Sequence, residues 1–492
     1  MKHAKKLHLP IAAALLLALL VSCQSGGGEK APATGATDGR TEDLGDGAVF
    51  VADDLEDVDF QNRAFNFVTL SEVHWGLLDR VCVDEEIGES INDATYRRTM
   101  KVEERFDISI KDNKIPWNTV TGEIRKSINA GDRLYDAVYL WGNYFLDLAA
   151  DGYLYDLNKL PKADFSKPYW DQNAKKDLSI AGRLYTMTGD ANMFYNDATW
   201  VVMFNKNFVS DYGLEDPYQI VREGKWTMDK MMEMGKPCVK DLNSDGRYGI
   251  DDQYGMVTHS ETIFGAFFAS GEKMVEKDLG DIPVLNAGSE RVIKTLEKVF
   301  ELFNSDSFTY DVTNPRNLSE AGFDAIQKMF MADQALFCSE VLECVRRFRE
   351  METPFGLLPM PKLDESQDSY YSYIIYAFTG VCVPRDAEDF DFVGTVLEAM
   401  QSESHHTLVP AYFDSALYGK FFHDEESREM LGIILGNRSY PFCVIKDFGG
   451  LLGALKDNIL SGKTEFVSAI NSREEMVKSD IGKLADKIEN MD

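Results

Sequence analysis

The sequence predicts an α/β fold with mainly parallel sheets. Strand-like runs alternate with amphipathic helical stretches along the chain. One run, YDAVYLW at 135–141, is the dense apolar kind that a parallel sheet buries on both faces. The 492 residues exceed one ordinary domain and suit two lobes of about 150–200 residues each, or one large α/β unit.

Taken in order, the chain opens on an export signal. Lys2, Lys5 and Lys6 precede the apolar run 11–21, which is too short to span a bilayer as a stable helix. Leu20-Val21-Ser22-Cys23 closes it and looks like a bacterial lipobox, in which a small residue precedes a cysteine that becomes the lipid-bearing N-terminus. Residues 1–22 are thus the expected signal and Cys23 the expected lipid attachment site, with an ordinary secretory signal as the alternative. The segment 24–47, rich in Gly, Ser, Ala and Thr, reads as a flexible linker within a tether over 23–58. The acidic run 53–59 is expected to solvate the end of that tether.

Residues 63–70 set Phe65, Phe67 and Val68 in a first strand. Ser90 is placed to cap a helix over 91–106, whose Ile91, Ala94, Val102 and Phe106 share one stripe. Arg98 falls on that stripe and is expected to pack its stem and free its head. A short strand over 107–111 follows, then 135–141, a loop and helix, and the turn GYLYDL at 152–157. Further strand-like runs are 183–188 and 199–205. Later stripes (Val292, Leu296, Val299, Phe300, Phe303 and Phe392, Val393, Val396, Leu397, Met400) predict helices, and 374–384 is a last strand closed by Pro384. No internal repeat of 20–50 residues is present.

Composition narrows the function. Apolar residues at 44% and charged residues at 27% support packed cores. Once the three lysines of the signal are removed, 48 basic residues face 82 acidic ones, a net −34 that repels nucleic-acid phosphates and anionic lipid. Six cysteines follow Cys23 with no C-x-x-C pair, so zinc-ribbon and thioredoxin chemistry have no support; they read as small buried hydrophobes, with disulfides left open. Five histidines follow the signal, none in H-E-x-x-H, and there is no G-x-S-x-G elbow. DNILSGKT at 457–464 ends like a P-loop without its opening glycine and lies in a helical tail. Two carboxylates suffice for a glycosidase, and the sequence alone does not exclude such a pair.

Asp241, Asn243, Asp245, Gly246, Arg247 and Asp252 follow the D-x-N-x-D-G spacing of a calcium loop. Three side-chain oxygens fall on one side, Gly246 allows the turn, and Arg247 offers its carbonyl. Asp252 stands where a longer glutamate would reach the ion bidentately, and no helix follows directly. A structural Ca2+ is the expectation and an Asp/Gly-rich turn the alternative; no cofactor is otherwise required.

The order of segments resembles the extracellular solute-binding proteins of ABC importers, the lipid-anchored, sugar-type branch. The resemblance rests on INDATYRRTMKVEERF at 91–106, YDAVYLWGNYFLDLAADGYLYDLN at 135–158, and LYTMTGDANMFYNDATWVVMFN at 184–205. It rests also on Gly213-Leu214 with Lys225-Trp226-Thr227, FGLLPMPKLDESQ at 355–367, and Pro410-Ala411-Tyr412. It implies a two-lobed periplasmic-binding-protein-like fold (type II) with hinge strands and a ligand cleft. Lobe one is then 59–184 with 325–369, the hinges 185–204 and 370–384, and lobe two 205–324 with 385–492. Closure by hinge rotation, a carbohydrate-like solute, an ABC permease as partner, an extracytoplasmic location, a monomer and no catalysis are further implications.

A sugar offers apolar faces and a rim of hydroxyls, so its site needs flat aromatics and bidentate polar groups. Ligands of open α/β sheets bind outside the carboxyl ends of strands. The candidates in such loops are Trp75, Trp141, Tyr144, Tyr195 and Glu340. Trp141 is core in the alternative reading, Tyr195 and Trp200 pin a hinge, and Glu340 pairs with Arg346 or Arg347. A surface glycan-binding lipoprotein or a carboxylate-pair glycoside hydrolase are the competing functions.

Overall fold

The computed structural model describes residues 51–73, 80–305, 307–314, 317, 322–348, 351–413 and 425–491, apart from the Phe194 side chain. In chain order the strands are β1 (Arg63–Ser71), β2 (Ile108–Pro116), β3 (Ala137–Trp141), β4 (Trp200–Asn205), β5 (Tyr254–Thr258), β6 (Val275–Lys277) and β7 (Pro283–Leu285). They continue with β8 (Thr309–Asp311), β9 (Ala335–Val341), β10 (Phe355–Leu358), β11 (Ser372–Tyr373), β12 (Thr379–Cys382) and β13 (Arg438–Ser439).

Two sheets organise the molecule. The first has the order β12-β3-β1-β2, with β1 parallel to β2 and β3 and β12 antiparallel to β3. The second has the order β10-β4-β9-β5-β8, with β5 parallel to β8 and β9 and β4 antiparallel to β9 and β10. Every residue of β3, β4, β5 and β9 is buried, so these strands read as continuous apolar runs rather than alternating ones. Phe65 and Phe67 are wholly buried, and Phe392 of the helix Phe390–His406 packs edge-on to Phe65 at 5.4 Å. That helix lies beside Ser90–Phe106 on the first sheet. In the second lobe Val292, Leu296, Val299 and Leu302 form the buried stripe of the helix Glu290–Asn304. No described helix is long and apolar enough to cross a membrane.

Several expectations are corrected. Strands β9 and β10 lie in the second sheet, so 325–369 does not complete lobe one; the chain returns from helix Asp324–Met331 into the sheet it has just left. The helix Phe390–His406, assigned to lobe two, packs on the first sheet through Phe392 and through Arg63–Asp389 at 2.8 Å. Within the 370–384 segment, strand β12 belongs to the first sheet, after a turn in which Phe378 N–H donates to Ile375. The run 183–188 makes isolated bridges rather than a strand. Helix Ser90–Phe106 is capped by Glu89, whose carboxylate accepts from Ile91 and Asn92 N–H. Asp107, in the left-handed region at φ 48°, ends that helix, and the following strand runs on to Pro116. The acidic run is docked rather than only solvated: Asp53 and Asp57 bind Arg105, and Asp54 binds Lys167.

Arg98 is also different from its expectation. It is wholly buried and donates to the carbonyls of Arg80, Val81 and Ala191 and to Ser404 Oγ. A guanidinium with that many fixed acceptors serves as a polar rivet, tying helix Ser90–Phe106 to three other segments. The described cysteines are all free thiols, buried except for the half-buried Cys82.

Glu398, on the same helix as Phe392, is wholly buried. It accepts from Trp170 Nε1 at 2.9 Å, Asp164 N–H at 3.1 Å and the Tyr169 hydroxyl. Burial pushes its carboxyl up to about 7, against those donors. The folded protein therefore keeps a proton that the unfolded chain loses near pH 4.5. The stability this provides is full below that value and lost as pH rises through about 7. Calorimetric Tm values between pH 5 and 8 are expected to fall less steeply in Glu398→Gln than in the parent; equal slopes contradict this account of Glu398.

Candidate functional site

Among the described residues three passages of chain run between the two sheets, and the third was missed in the sequence. The first passage, through 186–200, bridges Met187 to Val381 and Thr199 to Ile374. The second, 370–384, carries β11 and β12. The third, 437–441, carries β13, which pairs parallel with β11. A two-residue strand has no periodicity to read, which is why 437–441 gave no signal.

Arg438 fastens these passages. Its Nη2 donates to Asp171 Oδ2 at 3.0 Å and to the Tyr195 hydroxyl at 3.3 Å, and its Nη1 donates to Asn196 Oδ1. The guanidinium lies 4.8 Å from the centre of the Tyr195 ring. Asp171 accepts further from Tyr440 at 3.0 Å and caps the helix Gln172–Leu178. Arg438 is 4% exposed and Asp171 not at all, so each charge depends on the other. Trp200 packs against Tyr373 at 6.0 Å, and Gly265 lets its indole approach, since a Cβ there would fall 2.6 Å from the ring. Tyr195 thus packs on the third passage through Arg438, and Trp200 on the second through Tyr373.

At the carboxyl ends of the first sheet's strands lies a row of aromatic rings. Trp117 follows β2, Trp141 ends β3, and Tyr144 sits in the first turn of the helix Gly142–Ala150. Trp117 and Trp141 are 5.5 Å apart at 31°, Trp141 and Tyr144 5.7 Å apart at 30°. Trp141 is buried at the centre, while Trp117 and Tyr144 keep partly exposed faces. Gly142 allows this geometry: a Cβ there would fall 2.2 Å from the Phe378 ring, and its N–H donates to Phe378 O at 3.0 Å. Asn143 Oδ1, beside the row, is buried with no hydrogen-bond partner.

Tyr376 stands on the second passage, 370–384. Burial first, then the Glu261 carboxylate and Tyr144, hold its phenol above the usual range, so it lies within electrostatic reach of both lobes. Glu261 pairs with Lys456 at 2.8 Å. Next to it, His259 follows β5, and its Nε2 donates to Glu340 Oε1 at 3.0 Å. His259 Nδ1 accepts from Glu261 N–H at 3.4 Å, which assigns the tautomer. Burial lowers the imidazole's affinity for a proton, but Glu340 outweighs it and raises the pKa; the same pair lowers that of Glu340 against its own burial. Glu340 Oε2 accepts from Val341 N–H at 3.0 Å and contacts Cys344 Sγ at 3.5 Å. Phe323 stands edge-on to His259 at 5.4 Å and is 63% exposed.

The structure thus brings Trp141 and Tyr144 together, in a row with Trp117, which the sequence reading passed over. Glu340 lies at the carboxyl end of β9, with Oε1 bonded by His259 Nε2 and Oε2 by Val341 N–H, and with Arg347 within electrostatic reach. Tyr195 is in the hinge. Trp75 and Cys23 lie outside the described residues. Two surface hollows of about 560 and 420 Å³ lie elsewhere, the larger beside Arg63 at the start of β1 and the other beside Ser90.

The loop from Asp241 to Asp252 closes on its own backbone. Asp241 accepts from Ser244 and Gly246 N–H, Asn243 from Asp245, and Asp245 from Arg247. Asp252 is wholly buried and accepts from Leu242 at 2.9 Å and Gly249 at 2.8 Å. Among the described residues no group of three or more His, Cys, Asp or Glu is placed to hold a metal ion.

Residues 91–324 match the model of the bacterial extracellular solute-binding protein family. No curated protein sequence matches the chain. Among solved structures, the sugar-binding protein MalE of Xanthomonas citri aligns with a TM-score of 0.60 at 11% identity, over 87% of this chain and 100% of that one. An ABC substrate-binding protein of Listeria monocytogenes in complex with cycloalternan gives 0.54 at 14%, over 86% and 99%. The MalE domain of Bdellovibrio bacteriovorus bound to maltotriose gives 0.54 at 13%, over 85% and 100%. The resemblance read from the sequence is borne out over 91–324, and the fold is that of the two-lobed binding proteins.

Arg438→Ala leaves Asp171 buried without its counter-charge. Chemical denaturation is expected to show a loss of about 3–5 kcal/mol; a loss under about 1 kcal/mol contradicts the role of the pair.

Proposed function

We propose that this chain captures a sugar or short oligosaccharide between its two lobes and delivers it to an ABC permease. One observation carries the reading: Trp117 and Tyr144 hold partly exposed rings on either side of the buried Trp141 at the carboxyl ends of the first sheet. Offset rings accept the apolar face of a pyranose, and flanking polar groups accept its hydroxyls. The matched family model supports capture of a solute, and the neighbours bound to cycloalternan and maltotriose support a saccharide. In this reading the protein works outside the cytoplasm as a monomer, tethered by a lipid on Cys23.

Hydrolysis is the weaker reading. Among the described residues of the second-lobe wall, Glu340 is engaged by His259, Glu261 by Lys456 and Glu343 by Arg347. That leaves Asp311 as a single carboxylate, whereas cleavage of a glycosidic bond ordinarily takes two working acids.

Titration with a panel of malto-oligosaccharides and other neutral oligosaccharides, followed by intrinsic tryptophan fluorescence, tests the site. A saturable change is expected with at least one of them. Trp117→Ala and Trp141→Ala are each expected to weaken its binding about tenfold or more, on the scale of a lost stacking surface of about 1.5 kcal/mol. Unchanged affinity in both variants removes the aromatic row as the site.

A further inference from the structure

We infer that the second-lobe wall of the cleft receives a protonated amine, so that the captured saccharide is an amino sugar. The inference rests on the reading above and sharpens it. Four carboxylates meet at this wall: Glu261, Asp311, Glu340 and Glu343. Three have a basic partner within 3.0 Å: Lys456 at 2.8 Å from Glu261, His259 at 3.0 Å from Glu340, and Arg347 at 2.9 Å from Glu343. Asp311 has none.

Asp311 ends β8 and pairs in register with Thr258 of β5, whose next residue is His259. It is 4% exposed and lies within electrostatic reach of His259. Its Oδ1 accepts from Thr313 N–H and Oγ1, both at 2.8 Å, while its Oδ2 is buried with no hydrogen-bond partner. Burial accordingly holds its carboxyl above the usual range, against the Thr313 bonds.

An unpaired buried acid is costly and calls for a compensating group. A sugar hydroxyl can fill the empty lone pair but does not balance the charge. An ammonium does both, since it brings three donors and one positive charge. A second buried acceptor without a donor, Asn143 Oδ1, stands at the aromatic row of the first lobe, so both walls ask the solute for hydrogen-bond donors. The surplus of acidic residues points the same way, attracting cationic and repelling anionic sugars. Asp311 Oδ2 is shielded from solvent here, so the inference requires that opening of the lobes uncover it for the amine.

Calorimetric titration of the whole mature protein with matched mono- to trisaccharides tests this. Each probe is used as the free amine (glucosamine), the N-acetyl form and the plain glucose form. The amine series is expected to bind about tenfold tighter than the other two, the worth of a charge-assisted bond of about 1.4 kcal/mol. In Asp311→Asn that ratio is expected to fall within about threefold. Glucose or N-acetyl forms binding as tightly as the amines overturns the inference and leaves the saccharide reading standing. So does an amine preference that survives in Asp311→Asn. No binding in any series here or with the neutral panel overturns both. The ranking in the parent protein needs no variant, so a poorly folding Asp311→Asn does not spare the inference.

Discussion

The buried pair of Arg438 and Asp171 is the constraint on which the rest of the molecule depends. Two sheets joined by narrow passages of chain would slide on one another unless those passages were fixed in register. Arg438 fixes them by reaching Asp171, Tyr195 and Asn196 from the third passage, while β13 pairs with β11 of the second. Neither charge has water to fall back on, so the arrangement holds as a unit or not at all. Around this fixed point the proposed closure is a rotation that moves the lobes as bodies.

What the fixed point positions is chemically asymmetric. The first sheet presents rings, with Trp141 held between Trp117 and Tyr144. The second sheet presents charge, aligned at the carboxyl ends of β5, β8 and β9 as His259, Asp311 and Glu340. A molecule with apolar faces and a polar rim satisfies both walls at once, which a purely apolar or purely anionic solute does not.

Much of this was legible in the sequence where burial on both faces or a clean helical stripe left its mark. Strands β1 and β3 and helices Ser90–Phe106, Glu290–Asn304 and Phe390–His406 fall where their patterns put them. So do Trp141 and Tyr144, because a strand end in an α/β sheet is a place for ligands. Trp117 was hidden by the polar stretch Lys111-Asp112-Asn113-Lys114, which makes the strand seem to stop early, although β2 continues to Pro116. The partner of Glu340 was illegible because His259 lies 81 residues earlier in the chain and meets it only through the pairing of β5 with β9. Strand order within a sheet is likewise a property of the packed chain, which is why 325–369 was placed in the wrong lobe. Arg98 misled for a related reason: its acceptors are carbonyls of other segments, invisible from its own helix.

The central claim is that two lobes close on a saccharide by rotating about the Arg438 passage. Small-angle X-ray scattering of the mature protein, with and without a saturating oligosaccharide identified by titration, measures it most directly. The account predicts a smaller radius of gyration and maximum dimension in the bound state. A bound protein whose scattering curve superimposes on that of the free one would contradict it.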